Sequence, residues 1–229
     1  MLTLPPELTK RNVVQESGNL FESAFAVLDP TGNYRYLLTR TWAPGPLVMF
    51  VMLNPSTADA VTDDPTMRRV ERFARSWGFG GLAVVNLFAL RATDPAVVES
   101  HPDPVGPDTD VFLAATARQA DRCVAAWGAH PAAQRRAPAV ARVLARAATR
   151  QYQPGLACLG LTKGRGAAAP AVPAEDDHVD QLHRARRDGE VTTTETYPSW
   201  WNVPGHMLTK TALVELEFPR TCDGRAWSA

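Results

Sequence analysis

Six apolar residues, Val48 to Leu53, run without a break into the polar turn Asn54-Pro55-Ser56-Thr57. Such a run has the length and side chains of a strand buried on both faces. Pro55 lacks a backbone donor and drives Asn54 towards extended geometry, so the strand ends there. Upstream, Phe21 to Leu28 and Tyr34 to Thr41 are strand-like runs separated by Asp29-Pro-Thr-Gly-Asn33, which predicts a β-hairpin at the edge of a sheet. Downstream, Asp64-Pro65 supplies a capping residue and a first-turn proline. Met67, Val70, Phe73, Ala74 and Trp77 then recur at spacings of three and four, the apolar stripe of a helix.

The alternation continues. Gly78 to Gly81 ends the helix, Leu82 to Phe88 reads as a second buried strand, and 92–109 is a proline- and aspartate-rich loop of a length often tied to function. A helix over Asp110 to Asp121, a strand over Arg122 to Trp127, a helix over Ala137 to Arg150 and a strand over Gly155 to Leu161 follow. Residues 165–190 hold an alanine-proline patch and a charged segment, 191–209 an aromatic loop, and Leu208 to Phe218 a closing strand. Strands alternating with helices predict an α/β fold of three layers, α/β/α, around a central, mainly parallel four-stranded sheet, with an N-terminal β-hairpin added. The expected organisation is one domain: a loose arm over 1–18, an edge hairpin over 19–46, a core over 47–164 and a C-terminal extension over 165–229.

Composition narrows the class. The chain has 229 residues, 45% hydrophobic and 21% charged, enough for one large core and unlike a disordered chain. Lys plus Arg and Asp plus Glu are both 24, so no global field draws it to nucleic acid. The basic side is almost entirely arginine, with lysine at Lys10, Lys163 and Lys210, and guanidinium forks suit phosphates. Three dispersed cysteines, Cys123, Cys158 and Cys222, indicate neither a disulfide framework nor a Cys-x-x-Cys metal site. The absence of a leader pattern or a membrane-length apolar run makes a cytoplasmic protein the expectation.

Chemistry concentrates where strands end. Asn54 and Ser56, Asn86 and Arg91, Gly128 and His130, and Thr162 and Lys163 each follow an apolar run. In a parallel sheet those ends share one edge, the usual place for a ligand. Asp59 lies in the first of these loops. Asp63 and Asp64 could form an acid-base pair, although Asp64 is already explained as a cap. The phosphate-loop, dinucleotide-fingerprint and nucleophile-elbow patterns are absent, and the five histidines contain no i, i+4 pair, so neither a metal nor a cofactor is expected.

Together the end-of-strand residues resemble the uracil-DNA glycosylase superfamily, through a bacterial family of unknown function with a similar pattern over most of 25–170. The matching stretches are Met52-Leu-Asn-Pro-Ser-Thr-Ala-Asp59, Asp63-Asp-Pro-Thr-Met-Arg-Arg69, Val84-Val-Asn-Leu-Phe-Ala-Leu-Arg91, Ala126-Trp-Gly128 and Cys158-Leu-Gly-Leu-Thr-Lys163. The resemblance implies hydrolysis of an N-glycosidic bond in DNA, with a base flipped into the protein and an abasic site left behind. Asn54 would place the water and Asp59 would serve as base or electrostatic stabiliser. Asn86 would read the base edge, with Ser56 beside it and Phe88 covering the ring; Trp77 and Trp127 are alternatives for that cover, a core role being the ordinary use of each. Arg68, Arg69 and Arg91 would hold phosphates with Thr162 and Lys163, and Trp200 and Trp201 would stack on bases or wedge the duplex. The superfamily's last motif, His-Pro-Ser, is replaced here by Ala169-Pro170, so the charge that stabilises the departing base would come from Lys163, Arg165 or His206. Small residues over Gly164 to Ala169 suggest room for an enlarged base, such as a hydroxymethylated or glucosylated cytosine of phage DNA. A monomer with DNA as partner is expected; hydrolysis of free nucleotides and silent nucleic-acid binding are the alternatives.

Overall fold

A computed structural model describes residues 2–147, 156–158 and 214–215. The chain opens with helix α1 (Pro6–Arg11), then strands β1 (Val13–Gly18), β2 (Ser23–Leu28), β3 (Arg35–Thr41) and β4 (Leu47–Met52). Helix α2 (Pro65–Ser76), strand β5 (Gly81–Asn86), helices α3 (Ala96–Ser100) and α4 (Thr109–Ala117), strand β6 (Arg122–Ala125) and helix α5 (Pro131–Ala147) follow. Short strands β7 (Leu156–Cys158) and β8 (Val214–Glu215) complete the described elements.

All the described strands join one sheet, eight strands among the described residues, in the order β1-β2-β3-β5-β4-β6-β7-β8. The α/β class stands. A four-stranded, mainly parallel sheet is not what forms: β4 runs parallel to β5 and β6, and β6 to β7, but antiparallel ladders join β1 to β2, β2 to β3, β3 to β5 and β7 to β8. The hairpin of β2 and β3 is therefore interior. Its flank is β1, taken from the stretch expected to be a loose arm, and α1 within the same stretch buries Leu8 completely.

Strict alternation sorts the central strands onto two faces. Met49 and Val51 of β4 with Ala83 and Val85 of β5 meet Leu8, Phe112, Leu113, Val140 and Leu144 from α1, α4 and α5. Val48, Phe50 and Met52 with Leu82 and Val84 meet Met67, Val70 and Ala74 of α2. Helix α2 starts where its sequence says: the Asp64 carboxylate accepts the Met67 N–H at 2.8 Å, and Pro65 occupies the first turn. It stops at Trp77, and Gly78 takes a positive φ of 80° there, the left-handed step that closes many helices. Helix α5 starts at Pro131, six residues before the expected Ala137, and carries Pro138 inside it. His130 precedes it, its Nδ1 accepting the Ala132 N–H at 3.3 Å.

Candidate functional site

Parallel pairing brings the ends of β4, β5 and β6 to one edge, and antiparallel β3 starts at that same edge. Beyond the strands, β4 and β5 stay together: Leu87 N–H donates to the Met52 carbonyl at 2.8 Å and Phe88 N–H to the Leu53 carbonyl at 3.0 Å. The two following loops are then stitched by Ala92 N–H to the Pro55 carbonyl at 2.9 Å. Asn54 reinforces this seam. Its Nδ2 donates to the Ala92 carbonyl at 2.8 Å and to the Pro55 carbonyl at 3.1 Å, which fixes the amide and commits its donors, leaving Oδ1 the part of the amide suited to accept from a water.

Asn86 pairs in register with Met52 on the α2 face of the sheet and is 2% exposed. Neither its Nδ2 nor its Oδ1 has a hydrogen-bond partner among the described residues. Buried amides are almost always paired, so an orphan of this kind asks for an explanation.

Arg35 opens β3 and is 3% exposed. Its Nη1 donates to the Ala58 carbonyl, while its Nε, also buried, has no partner among the described residues. Burial brings its pKa down to about 10, with Arg91 and Arg40 pushing the same way and Asp64 and Asp59 opposing. The group therefore stays protonated at neutral pH. Arg40, five residues further along β3, also clamps the loop: its Nη2 reaches the Asp59 carbonyl at 2.7 Å and the Asp63 carboxylate at 2.6 Å.

Asp59 is used locally. Its Oδ1 accepts the Val61 and Thr62 N–H groups at 2.9 and 2.8 Å. Burial raises its pKa, but the N–H groups of Thr62 and Val61 and the charges of Arg91 and Arg40 outweigh that and hold it below the ordinary range. It is a stable carboxylate and a weak proton acceptor, which fits electrostatic stabilisation better than general base catalysis. Ser56, half-buried, lies in the same loop.

The remaining predicted residues divide. Phe88, expected to cover a base, is 6% exposed within the core on the opposite face, among the residues of α4 and α5. Trp77 packs beside Phe50 and Phe73, and Trp127 against the α4 and α5 core. Arg68 is exposed near the start of α2 and donates to the Asp63 carbonyl at 3.1 Å. Arg69 lies over the Phe73 ring at 5.6 Å. Arg91 donates to the Gly32 carbonyl at 3.3 Å. Thr162, Lys163, Trp200 and Trp201, and with them Arg165, Ala169 and His206, lie outside the described residues. Sequence reading missed Arg35 and Arg40 altogether; the available signal was Arg40 in phase with Leu38, whereas Arg35 is out of phase in the sequence and reaches that face through the register shift between Leu37 and Arg35.

Surface clefts of about 380 and 760 Å³ also exist. The first runs along Arg40, Asp63, Glu71 and Arg75, the second beside Leu47, Gly81 and Asp121 where β4 and β5 begin. Neither is lined by Asn54 or Asn86; the buried polar atoms without partners among the described residues are Arg35 Nε and both ends of the Asn86 amide on the α2 side, with the Tyr36 and Thr116 hydroxyls elsewhere in the core. Among the described residues no cluster of His, Cys, Asp and Glu could hold a metal ion, and no helix is long and apolar enough to cross a membrane.

Fold and site together define an α/β protein whose polar groups converge at the carboxyl edge of parallel strands, under the loop 54–64. Residues 35–170 match the family described as "Protein of unknown function (DUF1643)", and the chain belongs to that family. No curated protein and no solved structure matches it.

Proposed function

We propose that the protein is a DNA-glycosylase-like hydrolase that cleaves the N-glycosidic bond of a base flipped out of DNA and leaves an abasic site. The observation that carries this reading is Asn86. A buried amide with both ends unpartnered is costly without a ligand, and it matches the paired donor and acceptor on the edge of a nucleobase. Asn54 supports the chemistry, since its anchored amide turns one acceptor to a water, as an in-line attack on the sugar carbon requires. Asp59 adds fixed negative charge for the cationic sugar of the transition state. The arrangement of helices on both faces of the parallel strands is read as glycosylase-like, and the modified pyrimidines of phage DNA, enlarged at C5, are the proposed substrates.

The test is to incubate the purified protein with duplex DNA, single strands and free nucleotides, each carrying uracil, cytosine, hydroxymethylcytosine or glucosylated hydroxymethylcytosine, and to score alkali-labile sites or released base. Turnover on a polymer that is lost in Asn54→Ala, with the fold retained, is the expected result. Turnover on monomers alone, or binding without any cleavage, sinks the proposal.

A further inference from the structure

Two buried side chains with unpartnered polar atoms stand at the same edge of the sheet, and a shared purpose explains both. Leu82 and Val84 pack towards α2, and the alternation places Asn86 on that face. Arg35 reaches the same face, since its Nη1 meets Ala58, a member of the α2-side core. Its strand neighbours β5 directly, and Arg35 N–H donates to the Ala89 carbonyl at 2.9 Å, three residues beyond Asn86. A purely structural arginine would have spent its Nε–H on a carbonyl or carboxylate. Here that donor is left over at the same sheet edge, and on the same face, as an amide whose donor and acceptor are both left over.

We propose that Arg35 and Asn86 form one binding site for the polar edge of a pyrimidine, in which the Arg35 guanidinium takes the negative charge of the base when it leaves. This rests on the glycosylase reading and deepens it. Asn86 matches an adjacent donor and acceptor of the ring, and Arg35 adds a donor to a ring carbonyl oxygen. When the glycosidic bond breaks, its electron pair goes to the ring nitrogen and spreads onto the carbonyl oxygens. The water at Asn54 adds its oxygen to the sugar carbon, and the proton it loses ends on the base through solvent. A fixed cation beside a carbonyl oxygen favours the ionised base over the neutral one, more so away from water. Arg35 remains protonated at neutral pH and can fill that role. The charge is thus supplied from β3, rather than from the C-terminal residues where the superfamily keeps its histidine.

The consequence is measurable without catalysis. Free 5-fluorouracil, followed by fluorine NMR across a pH series, should bind the full-length protein, and its ring N–H should ionise at least one pH unit lower bound than free. Arg35→Met should retain less than a tenth of the preference for the anion, and Asn86→Leu should lose binding. In the wild-type protein the Arg35 Nε–H resonance, assigned by its absence in Arg35→Lys, should move downfield on binding. No binding at millimolar 5-fluorouracil, an unshifted ionisation, or an unmoved Nε–H resonance each overturns the inference, and the last two need no variant to fold as a binder. Should the shifted ionisation stand while no DNA is cleaved, the glycosylase reading fails and the pyrimidine site survives. Cleavage of DNA with an unshifted ionisation removes Arg35 and spares that reading.

Discussion

Replacing Asn86 by leucine should make the protein more stable. The side chain is 2% exposed, and both ends of its amide are buried without partners among the described residues. Leaving such groups unpaired costs roughly 1–3 kcal/mol. Leucine has the same branching at Cγ and removes that cost, while its tips are slightly bulkier than oxygen and nitrogen. Met52, Val84 and Ala126 pack on this face, and overpacking against them offsets about 1 kcal/mol of the gain. The net stabilisation is about 0–2 kcal/mol, which for a chain of this size raises the Tm by up to roughly 8 °C. Calorimetry of Asn86→Leu beside the wild type, with urea midpoints as a second measure, reads this directly. A Tm that falls, in a variant with native circular dichroism, means that the folded protein already satisfies the amide. The central support for a ligand at this position would then be gone.

Asn54→Ala removes the hydrogen bonds to Ala92 and Pro55. It should cost about 1 kcal/mol of stability, read as a small drop in urea midpoint, and at least a hundredfold in any cleavage rate. Asp59 has a depressed folded pKa, so its stabilising contribution is present above its unfolded value of about 3.9 and is lost as pH falls through the folded value. Asp59→Asn should therefore melt below the wild type at pH 7, and the gap should close in scans taken at progressively lower pH. Arg40→Met releases the clamp on Asp59 and Asp63; protease cutting near Val61, which is 79% exposed, should speed up several-fold in limited digestion while the core resists. Cys123 is buried beside Met49 and burial pushes its thiol pKa up to about 12, with Arg122 opposing. Iodoacetamide at pH 8 should leave it unmodified in the native protein and label it in urea, as peptide mass spectrometry would show.

The parts of this fold that local chemistry dictates were legible. Strand β4, the Asp64 cap, the stripe of α2 and the hairpin turn at Asp29 depend on residues within a few positions of one another. In that turn Asp29 accepts the Tyr34 N–H at 2.8 Å and is held ionised by the Thr31 hydroxyl and backbone donors against the effect of burial. Pairing across the sheet was not local. Strand β1 is mostly polar and half exposed, with an edge strand's composition, so nothing in Val13–Gly18 distinguishes it from an arm. Phe88 failed for a related reason: β5 ends at Asn86, so the alternation that would have kept Phe88 on the Asn86 face stops there, and Leu87, Phe88 and Ala89 all join the core on the other side. Asn54 and Asn86 could be placed at one edge in advance because parallel strands put their ends together there. Arg35 was missed because an antiparallel neighbour meets that edge with its beginning.

The loop 54–64 is where these features combine. It is fastened by hydrogen bonds and charge, through Asn54 to Ala92, Ala58 to Arg35, and Asp59 and Asp63 to Arg40. Its buried apolar side chains are the small Ala58 and Ala60, with the ring of Pro55. Lifting it would expose little hydrophobic surface, so its opening should cost far less than global unfolding. The route we propose to Asn86 displaces this loop and exchanges the Ala58 carbonyl at Arg35 for an acceptor of the ligand's own. Hydrogen exchange should therefore show the amides of Val61 and Thr62 opening well before those of β4. A pyrimidine at the site should change protection in the loop while leaving Val48 to Val51 unaffected. Equal protection of loop and strand would place the covering segment within the core's cooperative unit and close the only route proposed to the buried amide.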